Sequence, residues 1–325
     1  MFWFFHLENN LIKQIKNIVN RLTTTDNLII AQLFLYINTI YVFFNLIFDI
    51  IFMVIILRLR NKIILYTFIL LCFLMLSYSI YNIVVWKLDS NSTNKQIEDV
   101  QEIIKVEEVI DTENTEVIEQ EEEIPKSNPY WDYIAMNMID INFNELKNIN
   151  SDVKGWIKVN GTNINYPFVQ SNNNKYYLTH SFDKSYNSAG WLFLDYRNNN
   201  TYNKNTIIYA HGRNDKTMFG SLRTVLTKNW LSNTNNYVIK ISTEKENSLW
   251  QIFSTYHIPT TSDYLQTNFD SDSEYQEFLN MIKNRSSYNF NTSVNSNDNI
   301  LTLSTCYNNS DKMVVHAKLI KKEQK

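Results

Sequence analysis

Three regimes of hydrophobic patterning follow one another along the chain. From Asn27 to Trp86 nearly every position is apolar, apart from the short basic break Arg58-Leu59-Arg60-Asn61-Lys62. Ile63 to Trp86 carries no charge over 24 residues (86 − 63 + 1). As a helix it reaches roughly 36 Å, enough for a hydrocarbon core of about 30 Å, so the pattern predicts a membrane-spanning helix. Tyr78, Tyr81 and Trp86 gather toward its C-terminal end, where amphipathic rings favour the headgroup layer. The preceding run, Leu28 to Leu57, is also long enough, but Asn38, Asn45 and Asp49 interrupt it. It reads as a second span or as an interfacial or re-entrant segment.

The second regime is acidic. Ile97 to Glu123 holds twelve Asp/Glu and one Lys, a local charge of −11. Such a segment buries too little apolar surface to fold alone, so residues 87–128 are expected to form a solvated stalk. A weak helical spacing of Ile97, Val100, Ile104 and Val109 leaves a transient helix or coiled coil as the alternative. The third regime, residues 129–325, alternates short β-rich runs with polar breaks. Strands are expected at Gly155–Val159, Ile164–Val169, Gly190–Asp195, Thr206–Ala210, Tyr237–Ser242, Leu249–Tyr256, Ile300–Thr305 and Met313–Ile320. Helical patterns fall near Asn142–Ile149, Asn174–Thr179, Thr217–Leu226 and Ser273–Asn284. The last places Tyr275, Phe278, Leu279 and Ile282 on one face. The expected fold class is mainly β, a closed or nearly closed eight-stranded barrel with a few short helices behind an N-terminal membrane region. The expected division is an N-terminal segment (1–26), the membrane region (27–86), the acidic linker (87–128) and the globular domain (129–325).

Composition narrows the function classes. A net charge of −3 over 325 residues argues against a nucleic-acid partner. Removing the acidic stretch leaves +8 for the remainder (−3 + 11). Cys72 lies in the apolar run and Cys306 in a polar region, so two cysteines make no disulfide framework. Arg58, Arg60 and Lys62 favour the cytoplasmic side, which sends the C-terminal region outside. The side of the N-terminus stays open, because Lys13, Lys16 and Arg21 balance that loop. A cleaved signal peptide is not expected, since the apolar run is too long and Lys87-Leu88-Asp89 lacks a small-residue cleavage pattern.

Candidate chemistry gathers at two strand ends. Cys306 closes the run from Ile300, just before the polar turn Tyr307 to Asp311, and a thiol there faces a rim. His211 closes the run Thr206 to Ala210 before Gly212-Arg213-Asn214. An imidazole beside a thiol can stabilise the thiolate or shuttle its proton, although a buried structural Cys fits the spacing too. Asp183, Asp195 and Asp215 are all eligible to orient His211, and spacing does not choose among them. His316, His180, His257 and Arg197 read as structural or surface residues, and His6 precedes the membrane part. No His/Cys/Asp spacing points to a metal, and no cofactor motif is present.

The motifs around these two residues resemble the sortase family, and class B most. Thr302 and Leu303-Ser304-Thr305-Cys306 match the family's T-L-x-T-C strand. Ile208-Tyr209-Ala210-His211-Gly212 and Met218-Phe219-Gly220-Ser221-Leu222 lie close to the class B histidine segment. Gly190 to Arg197 resembles G-x-I-F-L-D-x-R, and Asn163 to Gln170 matches an early strand motif. The resemblance runs from about Asn142 to the end and implies an eight-stranded sortase barrel. It also implies a cysteine transpeptidase at the cell membrane of a Gram-positive-type bacterium, with the catalytic domain outside. Cys306 would attack the bond after Thr in a sorting signal, and His211 would protonate the leaving amine and deprotonate the incoming one. Ser304 and Thr305 are the candidate substrate contacts. The implied partners are surface proteins with a C-terminal sorting signal, peptidoglycan or its precursor amine, and membrane lipid.

One residue departs from the pattern. Sortases carry an Arg on the strand after the cysteine loop, and here Lys312 occupies that place after a short loop. Lys is a point charge on a flexible stem where Arg offers a rigid fork. Lys312 is therefore the candidate for the Arg role, with Arg213 as rival. A sortase fold that binds or scaffolds without transpeptidation is the alternative, and a different thiol hydrolase is the third.

Overall fold

The computed structural model describes residues 27–56, 62–105, 129–198, 203–307 and 310–325. The chain divides into two compact units, Met1–Ile80 and Tyr81–Lys325. Helix α1 (Asn27–Ile56) occupies the first apolar run, and α2 (Lys62–Lys105) begins in the second. Neither contains Pro or Gly, so no residue breaks the backbone ladder. Among the described residues, the stretch Leu65–Ile103 of α2 is long and apolar enough to cross a membrane by length and composition. Its Phe73, Met75 and Tyr78 remain 64, 62 and 69% exposed, uncovered by protein. Leu57 and the basic pair Arg58 and Arg60 lie outside the described residues, as does 106–128 of the acidic segment.

The expected stalk differs from what forms between Lys87 and Lys105. There α2 stays helical and docks on the barrel of its own unit. Val100 is buried, and Ile97 and Ile103 pack against the same core. These three positions, spaced by three residues, form one face, while Glu98, Asp99 and Glu102 stay in solvent. A narrow apolar stripe suffices because the acidic side chains never leave water. Polar contacts fix the helix in place. The Asp89 carboxylate accepts from Ser188, and Thr93 Oγ1 accepts from Asn187 Nδ2 at 3.1 Å. Gln101 Nε2 donates to the Asn165 carbonyl at 3.0 Å, and Ser90 donates to Asp215 at 2.9 Å.

The remaining elements are α3 (Pro129–Ile134), α4 (Asn144–Ile149), β1 (Val153–Val159), β2 (Asn165–Val169), β3 (Phe193–Leu194) and β4 (Asn205–Tyr209). They continue with α5 (Lys228–Leu231), β5 (Val238–Thr243), β6 (Glu246–Pro259), α6 (Asp272–Asn284), β7 (Ile300–Cys306) and β8 (Asp311–Gln324). The eight strands close a barrel in the order β1-β2-β3-β4-β7-β8-β6-β5. All eight expected strands form, with shifted ends. β3 keeps two residues, because Gly190 turns the chain at φ +60° and the Asp195 carboxylate accepts from the Arg197 N–H in a turn. β6 and β8 grow to 14 residues each, pairing antiparallel along their lengths.

Two of the expected helices shrink to 3₁₀ turns, Tyr176–Leu178 and Gly220–Thr224. Ser271 caps α6 by accepting from the Glu274 N–H, and Asp272 and Glu274 in the first turn complement the helix dipole. The face Tyr275, Phe278, Leu279 and Ile282 seals a second core against Phe253, Ile300 and Val314, outside the main barrel interior.

Candidate functional site

β4 and β7 are parallel neighbours in the barrel wall. Their pairs run from Asn205↔Ile300 to Tyr209↔Ser304, an offset of 95 throughout (300 − 205). Carried two residues further, the same register sets His211 beside Cys306, at the roughly 4.8 Å spacing of adjacent strands. The backbone beyond β4 confirms how close the two chains stay. Thr305 Oγ1 donates to the Ala210 carbonyl at 2.8 Å, and a Cβ at Gly212 would lie 2.0 Å from the Cys306 carbonyl oxygen. Only glycine fits at that contact.

Cys306 is exposed at the end of β7, a free thiol. Across the hairpin it pairs with Lys312, the second residue of β8. Lys312 Nζ donates to Cys306 Sγ at 3.1 Å. The nitrogen therefore sits beside the atom that carries the negative charge in a thiolate. His211 is half-buried, with Nε2 at 2.8 Å from the Leu178 carbonyl. A carbonyl only accepts, so this contact places the proton on Nε2 and leaves Nδ1 as the acceptor of the neutral ring.

None of the three carboxylates considered as an orienting partner takes that place. Asp183 closes its own turn by accepting from Ser185. Asp195 accepts from Arg197, Tyr209 and Asn174. Burial pushes its carboxyl up, but hydrogen bonds led by Arg197 outweigh this and hold it below the ordinary value. Asp215 binds Arg213 and Thr217. Burial raises its carboxyl as well, and the Arg213 and Thr217 donors carry it down to about 2. Arg213 is committed by the same contact, 2.7 Å from the Asp215 carboxylate and with its side chain only 10% exposed.

Ser304 and Thr305 are buried. Their hydroxyls are occupied within the fold, Ser304 with Tyr264 at 3.0 Å and Thr305 with Ala210. His316 is fully buried between Thr302 at 2.9 Å and Tyr256 at 2.8 Å. Burial pushes its imidazole down to about 3, with Arg285 adding to the effect, so it stays neutral. His180 stacks on Tyr176 and His257 on Tyr307, with ring centroids 4.0 and 4.1 Å apart. Arg197 makes a two-point contact with Asp195. Among the described residues no cluster of three or more His, Cys, Asp or Glu forms a metal cage.

A residue the sequence did not single out completes the surroundings. Arg223, in the Gly220–Thr224 turn, donates Nη2 to the Gly212 carbonyl at 2.8 Å and Nη1 to Asn214 Oδ1 at 2.9 Å. Its guanidinium lies 5.9 Å from the Tyr307 ring centroid. Its signal was legible only as a basic residue three positions past Gly220.

Comparison with known proteins points in one direction. The family model for the sortase domain matches residues 157–320. Sortase B of Staphylococcus aureus is 38% identical over 184 residues, covering 55% of this chain and 75% of that protein. A Staphylococcus aureus sortase B–substrate complex superposes with a TM-score of 0.52 at 37% identity, over 55% of this chain and 84% of the other. Clostridium perfringens sortase B gives 0.53 at 34% identity, over 55% of this chain and all of that one (100%). The family match runs from within β1 to within β8 and includes His211 and Cys306, and the chain belongs to the sortase family, with class B sortases as its relatives.

Proposed function

We propose that the chain is a membrane-anchored transpeptidase in which Cys306 is the nucleophile, His211 the general acid and base, and Lys312 the stabilising cation. Sortase relatives are cysteine transpeptidases, and one is described in complex with its substrate. The observation that carries the reading for this chain is the 3.1 Å approach of Lys312 Nζ to Cys306 Sγ. It puts a cation at the reacting atom despite the missing Arg, which weighs against a purely scaffolding role.

His211 takes the proton of the Cys306 thiol, the sulfur adds to the carbonyl carbon of the sorting-signal Thr, and a tetrahedral oxyanion forms. Its charge is met by Lys312. The C–N bond then breaks, the departing nitrogen takes a proton from His211, and a thioester remains. An incoming amine of the cell wall gives its proton to His211, attacks the thioester and expels the thiolate, restoring the enzyme. Two acyl transfers replace one difficult amide exchange. Ser304 and Thr305 act in this reading as supports of the nucleophile's strand, since their hydroxyls hold Tyr264 and Ala210. The uncovered apolar surface of Leu65–Trp86 supports a span, and Arg58, Arg60 and Lys62 before it support a catalytic domain on the outer side. On that side the acceptor in this reading is an amine of peptidoglycan or its precursor, to which surface proteins are joined.

The test is intermediate capture. Full-length protein with a threonine-containing sorting peptide should accumulate a mass adduct on Cys306 that hydroxylamine releases. Cys306→Ala should show neither adduct nor cleavage. Turnover that survives in Cys306→Ala sinks the assignment.

A further inference from the structure

We infer that Arg223 is a positioning residue for the transpeptidation site, clamping the turn that carries His211 against the turn that carries Cys306. The inference rests on the assignment of His211 and Cys306 given above and concerns what fixes their spacing.

Arg223 reaches both halves of the pair through residues next to them. On one side its two terminal nitrogens hold the Gly212 carbonyl and the Asn214 side chain, the first and third residues after His211. On the other its guanidinium lies over the ring of Tyr307, the residue after Cys306. Gly212 is also a point of close approach between the two turns, since a Cβ there would lie 2.0 Å from the Cys306 carbonyl oxygen. A displacement of Gly212 therefore changes the gap between imidazole and thiol directly.

The base of the clamp is equally close-packed. A Cβ on Gly220, which opens the Arg223 turn, would lie 2.1 Å from the Arg213 carbonyl. The Gly220–Thr224 turn thus sits directly beneath Gly212-Arg213-Asn214, and Arg223 rises from it. Arg213 and Arg223 divide the work. Arg213 carries its charge into Asp215, whereas no Asp or Glu among the described residues forms an ion pair with Arg223. The planar fork of Arg223 suits a two-point hold on one turn, which a Lys reproduces only in part. A loss of alignment of about 1 Å costs on the order of 10²-fold in rate.

The experiment uses full-length protein in detergent and one sorting peptide. The variants are Arg223→Met, Arg223→Lys and Tyr307→Leu, with His211→Ala as the control on the underlying assignment. Each kcat is divided by the number of Cys306 thiols that iodoacetamide titrates in the folded fraction recovered from size-exclusion chromatography, counted on the Cys306 peptide so that neither Cys72 nor unfolded molecules enter the comparison. The clamp predicts that Arg223→Met loses about 10²-fold in kcat per titratable thiol with KM little changed. Arg223→Lys should recover part of it, and Tyr307→Leu should fall in between. A kcat per thiol within about twofold of wild type for Arg223→Met overturns the clamp, as does a loss confined to KM. If Arg223→Met does not fold, Tyr307→Leu decides alone by the same criterion. An active His211→Ala would instead overturn the assignment of the pair, and the clamp with it.

Discussion

Two polar sites share the same three strands and differ in almost everything else. At the rim, β4, β7 and β8 bring together His211, Cys306 and Lys312. Inside, the same strands bring together Asn205, Thr302 and His316, with Thr302↔His316 paired four residues before Cys306↔Lys312. In the interior every proton has an acceptor. Thr302 donates its hydroxyl proton to Asn205 Oδ1 at 2.7 Å, so His316 Nδ1 must donate to Thr302 and Nε2 must accept from Tyr256. Asn205 completes the set by donating to Gln266 O at 2.8 Å. At the rim the hydrogen-bonding capacity is only partly used. Cys306 is open to solvent, and His211 offers one nitrogen to Leu178 and keeps the other. A satisfied network rigidifies, and spare capacity is available to a substrate. Residue type alone does not separate a structural histidine from a chemical one.

The strongest way to break this contrast is to remove the cation at the rim. Lys312→Met should lower kcat by on the order of 10²–10³, with a smaller effect on KM, in steady-state peptide cleavage. Lys312→Arg should preserve turnover. A Lys312→Met enzyme with near-normal kcat would make the rim as inert as the interior.

The interior should respond to pH through His316. His316 is neutral when folded, with its imidazole near 3 against an ordinary value of 6.5. The unfolded chain therefore binds the extra proton first, and stability falls as the pH drops from about 6.5 toward 3, by at most about 1.4 kcal/mol per pH unit. Asp215 acts in the same direction but lower, between its ordinary 3.8 and about 2. Urea midpoints between pH 6.5 and 4.5 isolate the histidine, and His316→Phe should flatten that slope. An unchanged slope would show that His316 is charged in the folded protein.

The smallest expected effect is at Arg213. Because its guanidinium is held by Asp215, Arg213→Ala should cost kcat less than the tenfold that about 1.4 kcal/mol represents. A larger loss in the same assay would mean that the Asp215 contact opens during turnover.

Much of this architecture could be read from the chain, and the failures have identifiable causes. The strands were legible because short apolar, β-branched runs are bounded by polar breaks, and α6 because Tyr275, Phe278, Leu279 and Ile282 repeat on one face. Cys306 and Lys312 stood out as candidates through the strand motifs that resemble the sortase family, since spacing alone also fits a structural thiol. The third group beside His211 was not, since the Leu178 carbonyl is backbone and leaves no mark in the sequence. Arg223 was hidden for a related reason. Its partners lie nine and eleven residues away at Asn214 and Gly212, and only the packing of Gly220 under Arg213 brings them within reach. The docking of α2 was obscured by the charges flanking Val100, which dominate the composition although they face solvent.

The parallel pairing of β4 with β7 also bears on when the barrel closes. Parallel neighbours cannot be joined by a tight hairpin, and here the partners are 95 residues apart along the chain (300 − 205). Closing so long a loop is an entropic loss that comes before any contact compensates it, so this wall of the barrel is a slow, late step of folding. Among the described residues β8 follows β7, flanks it on the other side and supplies Lys312. A ribosome-bound chain that has emerged as far as Cys306 carries a thiol with neither Lys312 nor β8 beside it. In the proposed reading, acyl transfer has to wait until β8 has paired with β7.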